Sequence, residues 1–329
     1  MLEVEQLSVR FGGSRLRRRK PIIHAVNGVS FQLDRGETLA LVGESGSGKS
    51  TTARAALRLL RATSGTIRWL GRDVTTLTGS QLREHRRHVQ MVFQDPYSSL
   101  DPSMTIDEIV AEPLYVHTKL DRAGRRDRVV QVLEMAGLSA QYLGRYPQEF
   151  SGGQRQRVAI ARALATDPEV IIADEAVSAL DVSTRNQILN LMKDLQAESG
   201  VSYLFISHDL GVVGHLAHRV AVMYLGSIVE EGSTARVFGA PAHPYTEALL
   251  KSVPSTSLTQ QGTGRFRLAG EPPDPSRPPT GCPFHGRCAK AIDICSVEMP
   301  SPRPVPGGGT AACHLVPVTA AAQPATAGG

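Results

Sequence analysis

The run Gly43-Glu44-Ser45-Gly46-Ser47-Gly48-Lys49-Ser50, taken with what stands on either side of it, constrains the fold of this chain more than any other feature. It matches G-x-x-x-x-G-K-S. Ahead of it, Thr38-Leu39-Ala40-Leu41-Val42 is a short apolar run that reads as a buried parallel strand. Behind it, Ala53, Ala56, Leu57 and Leu60 recur at helical spacing. Strand, glycine loop and helix in that order form a phosphate cradle. The glycines let backbone N–H groups turn inward, and the helix presents its positive end. Lys49 is expected to reach the β- and γ-phosphates of a nucleotide, and Ser50 to ligate Mg²⁺. The neighbouring Thr51 is expected to join the cradle. Alone, this motif does not separate kinases, GTPases and transport ATPases.

The remaining pattern predicts an α/β chain. Val170-Ile171-Ile172-Ala173 reads as a second buried strand, ending in Asp174-Glu175. A helix is expected from Asp181 to Ser183 onward, with Ile188, Leu191, Met192 and Leu195 on one face. Tyr203-Leu204-Phe205-Ile206 and Val220-Ala221-Val222-Met223 read as further strands. This alternation predicts a mainly parallel sheet covered on both faces. Between 95 and 155 the apolar positions (Ile106, Ile109, Val110, then Val129, Val132, Leu133) fall at helical spacing, so an inserted helical subdomain is expected there. After about Pro244 the composition shifts to Pro and Gly, and all four cysteines lie between Cys282 and Cys313. The expected division is a nucleotide-binding domain over 1–245, an irregular extension over 246–316, and a disordered tail over 317–329.

At 329 residues the chain has room for one large domain plus an appendage. Its 41% hydrophobic and 20% charged content is ordinary for a water-soluble protein. No run approaches the roughly 18 apolar residues that cross a bilayer, and the opening Met1-Leu2-Glu3-Val4-Glu5 lacks the apolar core of a signal peptide. A cytosolic chain is expected. The net charge is +5. The basic run Arg15-Leu16-Arg17-Arg18-Arg19-Lys20 reads either as a solvated loop or as a contact for anionic lipid or nucleic acid.

About a hundred residues beyond the glycine loop stands Phe150-Ser151-Gly152-Gly153-Gln154-Arg155-Gln156-Arg157-Val158-Ala159-Ile160-Ala161. With the first motif, it resembles the ATP-binding cassette family, the ATPases that power ABC transporters. The resemblance covers nearly the whole chain from Leu2 to Cys313. It implies a P-loop NTPase core in which Ser151, Gly152, Gly153 and Gln154 complete the ATP site of a neighbouring subunit. A serine-capped helix left open toward solvent is by itself an anion site.

Other positions match the family in order. Asp174 resembles the Walker B carboxylate that supports Mg²⁺, and Glu175 is the candidate general base that polarises the attacking water. Gln94, in Met91-Val92-Phe93-Gln94-Asp95-Pro96, resembles the Q-loop, whose amide reaches Mg²⁺ or water. His208, in Ile206-Ser207-His208-Asp209, resembles the switch histidine that contacts the γ-phosphate. Phe11 lies where the family places an aromatic ring against adenine. Ser178-Ala179-Leu180-Asp181 resembles the D-loop. One departure stands out: family members commonly carry Pro-Thr after the glutamate, and this chain has Ala176-Val177.

Four cysteines in an otherwise cysteine-free chain suggest shared ligation rather than disulfides in a reducing compartment. Cys282, Cys288, Cys295 and Cys313 suit a [4Fe–4S] cluster or Zn²⁺, with unligated thiols as the third reading and His285 and His314 as spare ligands. The spacing resembles the C-terminal extension of oligopeptide and dipeptide importer ATPases, as does His243-Pro244-Tyr245-Thr246-Glu247-Ala248-Leu249-Leu250. That resemblance implies ATP hydrolysis energising peptide uptake at the cytoplasmic membrane face. It implies as partners a second ATPase subunit (a paralogue rather than a copy), two transmembrane permeases and an extracytoplasmic substrate-binding protein, with no nucleic acid. The alternatives are an importer ATPase for nickel or another small solute, and a soluble cassette protein outside transport.

Overall fold

The computed structural model describes residues 1–12, 21–252 and 270–317. The basic run Arg15–Lys20 and residues 318–329 of the expected tail lie outside the described residues.

The chain opens with two long antiparallel strands, β1 (Leu2–Phe11) and β2 (Ile23–Leu33). In β1, Leu2 and Val4 point inward, and then Leu7 and Val9 do. The two-residue rhythm of a strand skips one position between these pairs. Gln6, at φ 48°, takes up the extra residue as a bulge. β3 (Thr38–Val42), buried at every position, runs into the glycine loop and α1 (Lys49–Ala56). Then come β4 (Ser64–Trp69), β5 (Arg72–Asp73), α2 (Gly79–Arg86) and β6 (Val89–Val92). Strands β2, β1, β4 and β5 form a four-stranded antiparallel sheet in that order.

The helical insertion follows β6 as α3 (Pro96–Ser99), α4 (Ile106–His117), α5 (Arg122–Met135) and α6 (Gly152–Leu164). The chain returns to the sheet through β7 (Val170–Asp174), α7 (Val182–Ser199), β8 (Ser202–Ser207), α8 (Leu210–Leu216), β9 (Arg219–Tyr224) and β10 (Ser227–Ser233). Helices α9 (Thr234–Gly239) and α10 (Pro244–Lys251) close this part. The extension adds β11 (Arg303–Pro304) and β12 (Thr310–Ala311).

The main sheet has the order β11-β12-β10-β9-β3-β8-β7-β6. Its run from β9 to β6 is parallel, and β10, β12 and β11 continue it antiparallel. The strand sequences explain why both faces are covered. In β3, Leu39 and Leu41 face the core shared with the antiparallel sheet, while Ala40 and Val42 face the core shared with the helical insertion. Chain order reverses at β3, which lies between β8 and β9, so the crevice at its carboxyl end is where such a sheet holds a ligand.

Among its described residues the extension is mostly irregular, with two short helical turns and two strands of two residues each. Strand β12 pairs onto β10 and β11 pairs onto β12, and Ala312 N–H donates to Val229 carbonyl O at 2.8 Å. Strands of two residues carry no periodic signal, and only an existing sheet edge makes them strands.

Candidate nucleotide site

Every candidate catalytic residue sits at the carboxyl end of a parallel strand: the glycine loop after β3, Gln94 after β6, Asp174 and Glu175 at the end of β7, and His208 after β8. The loop needs its glycines sterically. A Cβ on Gly43, at φ 151°, would stand 2.2 Å from Met223 carbonyl O, and one on Gly48, at φ 104°, 2.4 Å from Ala25 carbonyl O. Lys49 Nζ donates to the carbonyl oxygens of Gly43 and Glu44, each at 2.9 Å, and lies 3.5 Å from Ser47 Oγ. Ser50 Oγ donates to Asp174 Oδ1 at 2.8 Å.

The electrostatics suit a triphosphate with its cation. Burial pushes the Lys49 ammonium below its ordinary range, against the pull of Glu175, Asp174 and Glu44. Burial likewise raises the Asp174 carboxyl, against its hydrogen bond from Ser50. A desolvated cation and a desolvated carboxylate at neighbouring strand ends each become more favourable when a polyanion and a divalent cation join them. The Ser50–Asp174 pair supplies hard oxygen donors of the kind Mg²⁺ takes.

Glu175 is the centre of the arrangement. Gln94 Nε2 donates to Glu175 Oε2 at 2.8 Å, and His208 Nδ1 lies 3.3 Å from Glu175 Oε1. The Glu175 backbone is held at φ 49°, a strained value for a residue with a side chain. Two bonds to its carbonyl fix it there, from Ser178 N–H at 3.0 Å and Ser178 Oγ at 2.9 Å. Ala176 and Val177, each 3% exposed, face the core. The departure from Pro-Thr therefore changes core packing and leaves the carboxylate's partners in place.

Ser45, Gly46, Gly48, Lys49, Ser50, Thr51, Gln94, Glu175 and His208 together line one cleft of about 510 Å³. Ile23, Ala25 and Pro275 complete its wall. Gly43, Glu44 and Ser47 belong to the loop but do not line the cleft, and Asp174 lines the adjoining groove instead. Phe11 is 39% exposed and does not line the cleft; its cross-strand partner Ile23 does.

Ser151 caps α6, accepting from Gln154 N–H at 3.3 Å, while Gln154 Oε1 accepts from Ser151 N–H at 3.0 Å. Ser151, Gly152, Gly153 and Gln154 line no part of the cleft, and Ser151 is exposed.

The extension reaches the site from behind. Arg287 donates to both oxygens of Glu44, Nη1 to Oε2 at 2.7 Å and Nη2 to Oε1 at 3.0 Å. Glu44 N–H donates to Tyr245 Oη at 2.9 Å. No local pattern announces these contacts, since Arg287 stands 243 residues from its partner. Burial raises the thiols of Cys282, Cys288 and Cys313. All four cysteines are free, and Cys282 N–H donates to Cys295 carbonyl O at 2.8 Å. Among the described residues no group of three or more His, Cys, Asp or Glu is arranged to hold a metal ion. His285 Nδ1 and His314 Nε2 contact the carbonyls of Cys282 and Glu298 at 2.8 and 2.9 Å.

Residues 26–178 match the ABC transporter family, and residues 229–295 match the C-terminal region of oligopeptide/dipeptide transporters. The chain is 51% identical over 305 residues to the probable peptide ABC transporter ATP-binding protein y4tS of Sinorhizobium fredii, covering 92% of this chain and 86% of the relative. It is 49% identical over 298 residues to the oligopeptide transport ATP-binding protein AppF of Bacillus subtilis, covering 89% and 90%. A solved dimer of the cassette MJ0796, bound to ADP and Pi, shares 31% identity at a TM-score of 0.64, over 71% of this chain and 99% of that one. A phosphate loop, a carboxylate pair, a glutamine and a histidine around one cleft, with a serine-capped glycine helix facing elsewhere, thus accompany close likeness over most of the chain. The protein belongs to the ATP-binding subunits of ABC transporters.

Proposed function

We propose that this chain hydrolyses ATP to energise peptide import, as one of two cassettes that close face to face on two nucleotides. The observation that carries this reading is the convergence of Gln94 and His208 on the two oxygens of Glu175, beside the phosphate loop. In the ATP-bound cleft, Lys49 and the inward N–H groups of the loop bind the phosphates. Ser50 and Asp174 would hold Mg²⁺, which when bound neutralises charge on the phosphate oxygens. Glu175 accepts the proton of the attacking water, with Gln94 and His208 fixing its orientation. The Ser151 helix end meets the terminal phosphate of the partner cassette. It therefore lies outside this chain's own cleft.

A groove of about 690 Å³ between the sheet and the helical insertion, lined by Phe93, Gln94, Asp95, Glu112, Val116 and Arg162 among others, supports docking of a permease segment beside Gln94. No helix among the described residues is long and apolar enough to cross a membrane, so permease chains supply the path. The assembly comprises this chain at the cytoplasmic face, a paralogous ATPase, two permeases and a substrate-binding protein. The peptide cargo is supported by the peptide and oligopeptide transport relatives and by the matched C-terminal region. Cys282, Cys288, Cys295 and Cys313 would be the ligands of a [4Fe–4S] cluster; that reading rests on their spacing alone, since no three of them are arranged here to hold a metal ion.

The test is Glu175→Gln. It should bind ATP like the wild type, run as a dimer with ATP on size exclusion, and lose about 10²- to 10⁴-fold in turnover. Full residual turnover sinks the assignment of Glu175 as base.

A further inference from the structure

We infer that the C-terminal extension sets the affinity of the phosphate loop for nucleotide, with Arg287 as the positioning residue that transmits it through Glu44. The inference rests on the reading of the cleft as an ATP site and goes beyond it, because it assigns a role in binding to a segment outside the cassette.

Glu44 is engaged through three different groups. Its carboxylate takes the Arg287 fork, its N–H goes to Tyr245 Oη, and its carbonyl receives Lys49 Nζ at 2.9 Å. The extension therefore grips the same residue whose carbonyl places the phosphate-binding ammonium. Bidentate geometry matters here because two parallel bonds fix orientation as well as distance. The Arg287 side chain is 6% exposed and that of Glu44 27%, so the pair is partly shielded from water.

Arg287 is itself built into the cysteine segment. It lies between Cys282 and Cys288 in a single helical turn, with its N–H donating to Phe284 carbonyl O at 3.0 Å. Phe284, 2% exposed, packs edge-on against Tyr224 at 5.2 Å and at a 58° tilt against Tyr245 at 5.3 Å between ring centroids. Tyr224 Oη in turn accepts from Arg287 Nη1 at 3.3 Å. A shift of this turn moves the guanidinium and the Tyr245 hydroxyl together. A second, separate contact reaches the front of the cleft: Pro275 lines it, and its carbonyl accepts from His24 N–H at 3.1 Å. The extension thus braces the loop from behind and walls the cleft in front.

The experiment uses the purified full-length chain, fluorescent MANT-ATP titrations, ATPase kinetics and thermal melts on the same samples. Arg287→Ala should weaken MANT-ATP binding about tenfold, the scale expected for losing a charge-assisted bidentate pair. It should raise KM for ATP by a similar factor while leaving kcat at saturation within about twofold. Arg287→Lys should recover part of the affinity. Glu44→Gln should weaken binding comparably, and the double variant no further than either alone, because one interaction is lost only once. Cys288→Ser should weaken binding in the wild-type background and have no additional effect in Arg287→Ala. Should Arg287→Ala melt before binding is measurable, Glu44→Gln with Cys288→Ser answers the same question. Wild-type affinity in folded Arg287→Ala, or additive losses in the double variant, overturns the inference while leaving the ATP site intact. A wild-type chain that binds no MANT-ATP overturns both.

Discussion

At the scale of single residues, several buried polar groups have a definite structural task. His243 illustrates this outside the cleft. It is 1% exposed and caps α10, its Nδ1 accepting from Tyr245 N–H at 3.0 Å. A nitrogen that accepts carries no proton, so the geometry requires the neutral ring. Burial points the same way, pushing its pKa down from 6.5 to about 4. The folded state thus binds fewer protons than the unfolded state between those values. Stability from this residue is complete above pH 6.5 and is lost as pH falls toward 4, by up to about 3 kcal/mol. Thermal melts between pH 7.5 and 4.5 should show this loss. His243→Asn, which retains a capping oxygen and does not titrate, should flatten it. Equal pH slopes for the two proteins would remove His243 as the source. Because α10 carries Tyr245, the loss also loosens the bond to Glu44 N–H.

Among elements, α6 was the most legible from sequence and the most constrained by its neighbours. Its start follows from Ser151 and Gln154, a reciprocal capping pair readable three residues apart. The need for glycine at 153 is tertiary. A Cβ there would stand 2.2 Å from Thr184 Cγ2, where α6 meets α7. Thr184 does not swing aside freely, since Asp181 accepts from its N–H at 2.9 Å and its hydroxyl at 2.8 Å. Gly153→Ala should therefore destabilise by about 1–3 kcal/mol from overpacking, outweighing roughly 1 kcal/mol of helix propensity gained. Adding Thr184→Ser removes the clashing methyl and keeps the hydroxyl, so it should restore most of the loss in a urea melt. Failure of that rescue would place the cost elsewhere. The strands show the same division. Buried runs such as β7 and β8 were readable because both faces are apolar. The N-terminal strand β1 was harder, because the bulge at Gln6 breaks its alternation.

For the molecule as a whole, the question is how a Pro- and Gly-rich extension becomes part of a rigid ATPase. Two answers are visible: strand pairing of β12 onto β10, and the Phe284 plug between Tyr224 and Tyr245. A cluster on the four thiols, as proposed, would add a third. Protein purified without oxygen should carry iron and acid-labile sulfide in about 4:1 ratio to chain each, the stoichiometry of one [4Fe–4S] unit. Chelation should lower the melting temperature and weaken nucleotide binding together, since metal binding at such sites is folding energy. Stoichiometric zinc without iron would replace the cluster reading, and neither metal would leave four structural thiols.

The sequence by itself determined the phosphate loop, several buried strands and the helical insertion, and it nominated the catalytic candidates. Each of these is written locally, in periodicity, glycine spacing or a strand-end carboxylate. It did not determine that Gln94 and His208 would clasp Glu175, that Phe11 would stand outside the cleft, or that Arg287 would hold Glu44. Those are meetings of side chains far apart in the chain, and no local rule of conformation encodes them. Only the packed sheet, by bringing several strand ends to one edge and fastening the extension behind them, decides which charges become neighbours.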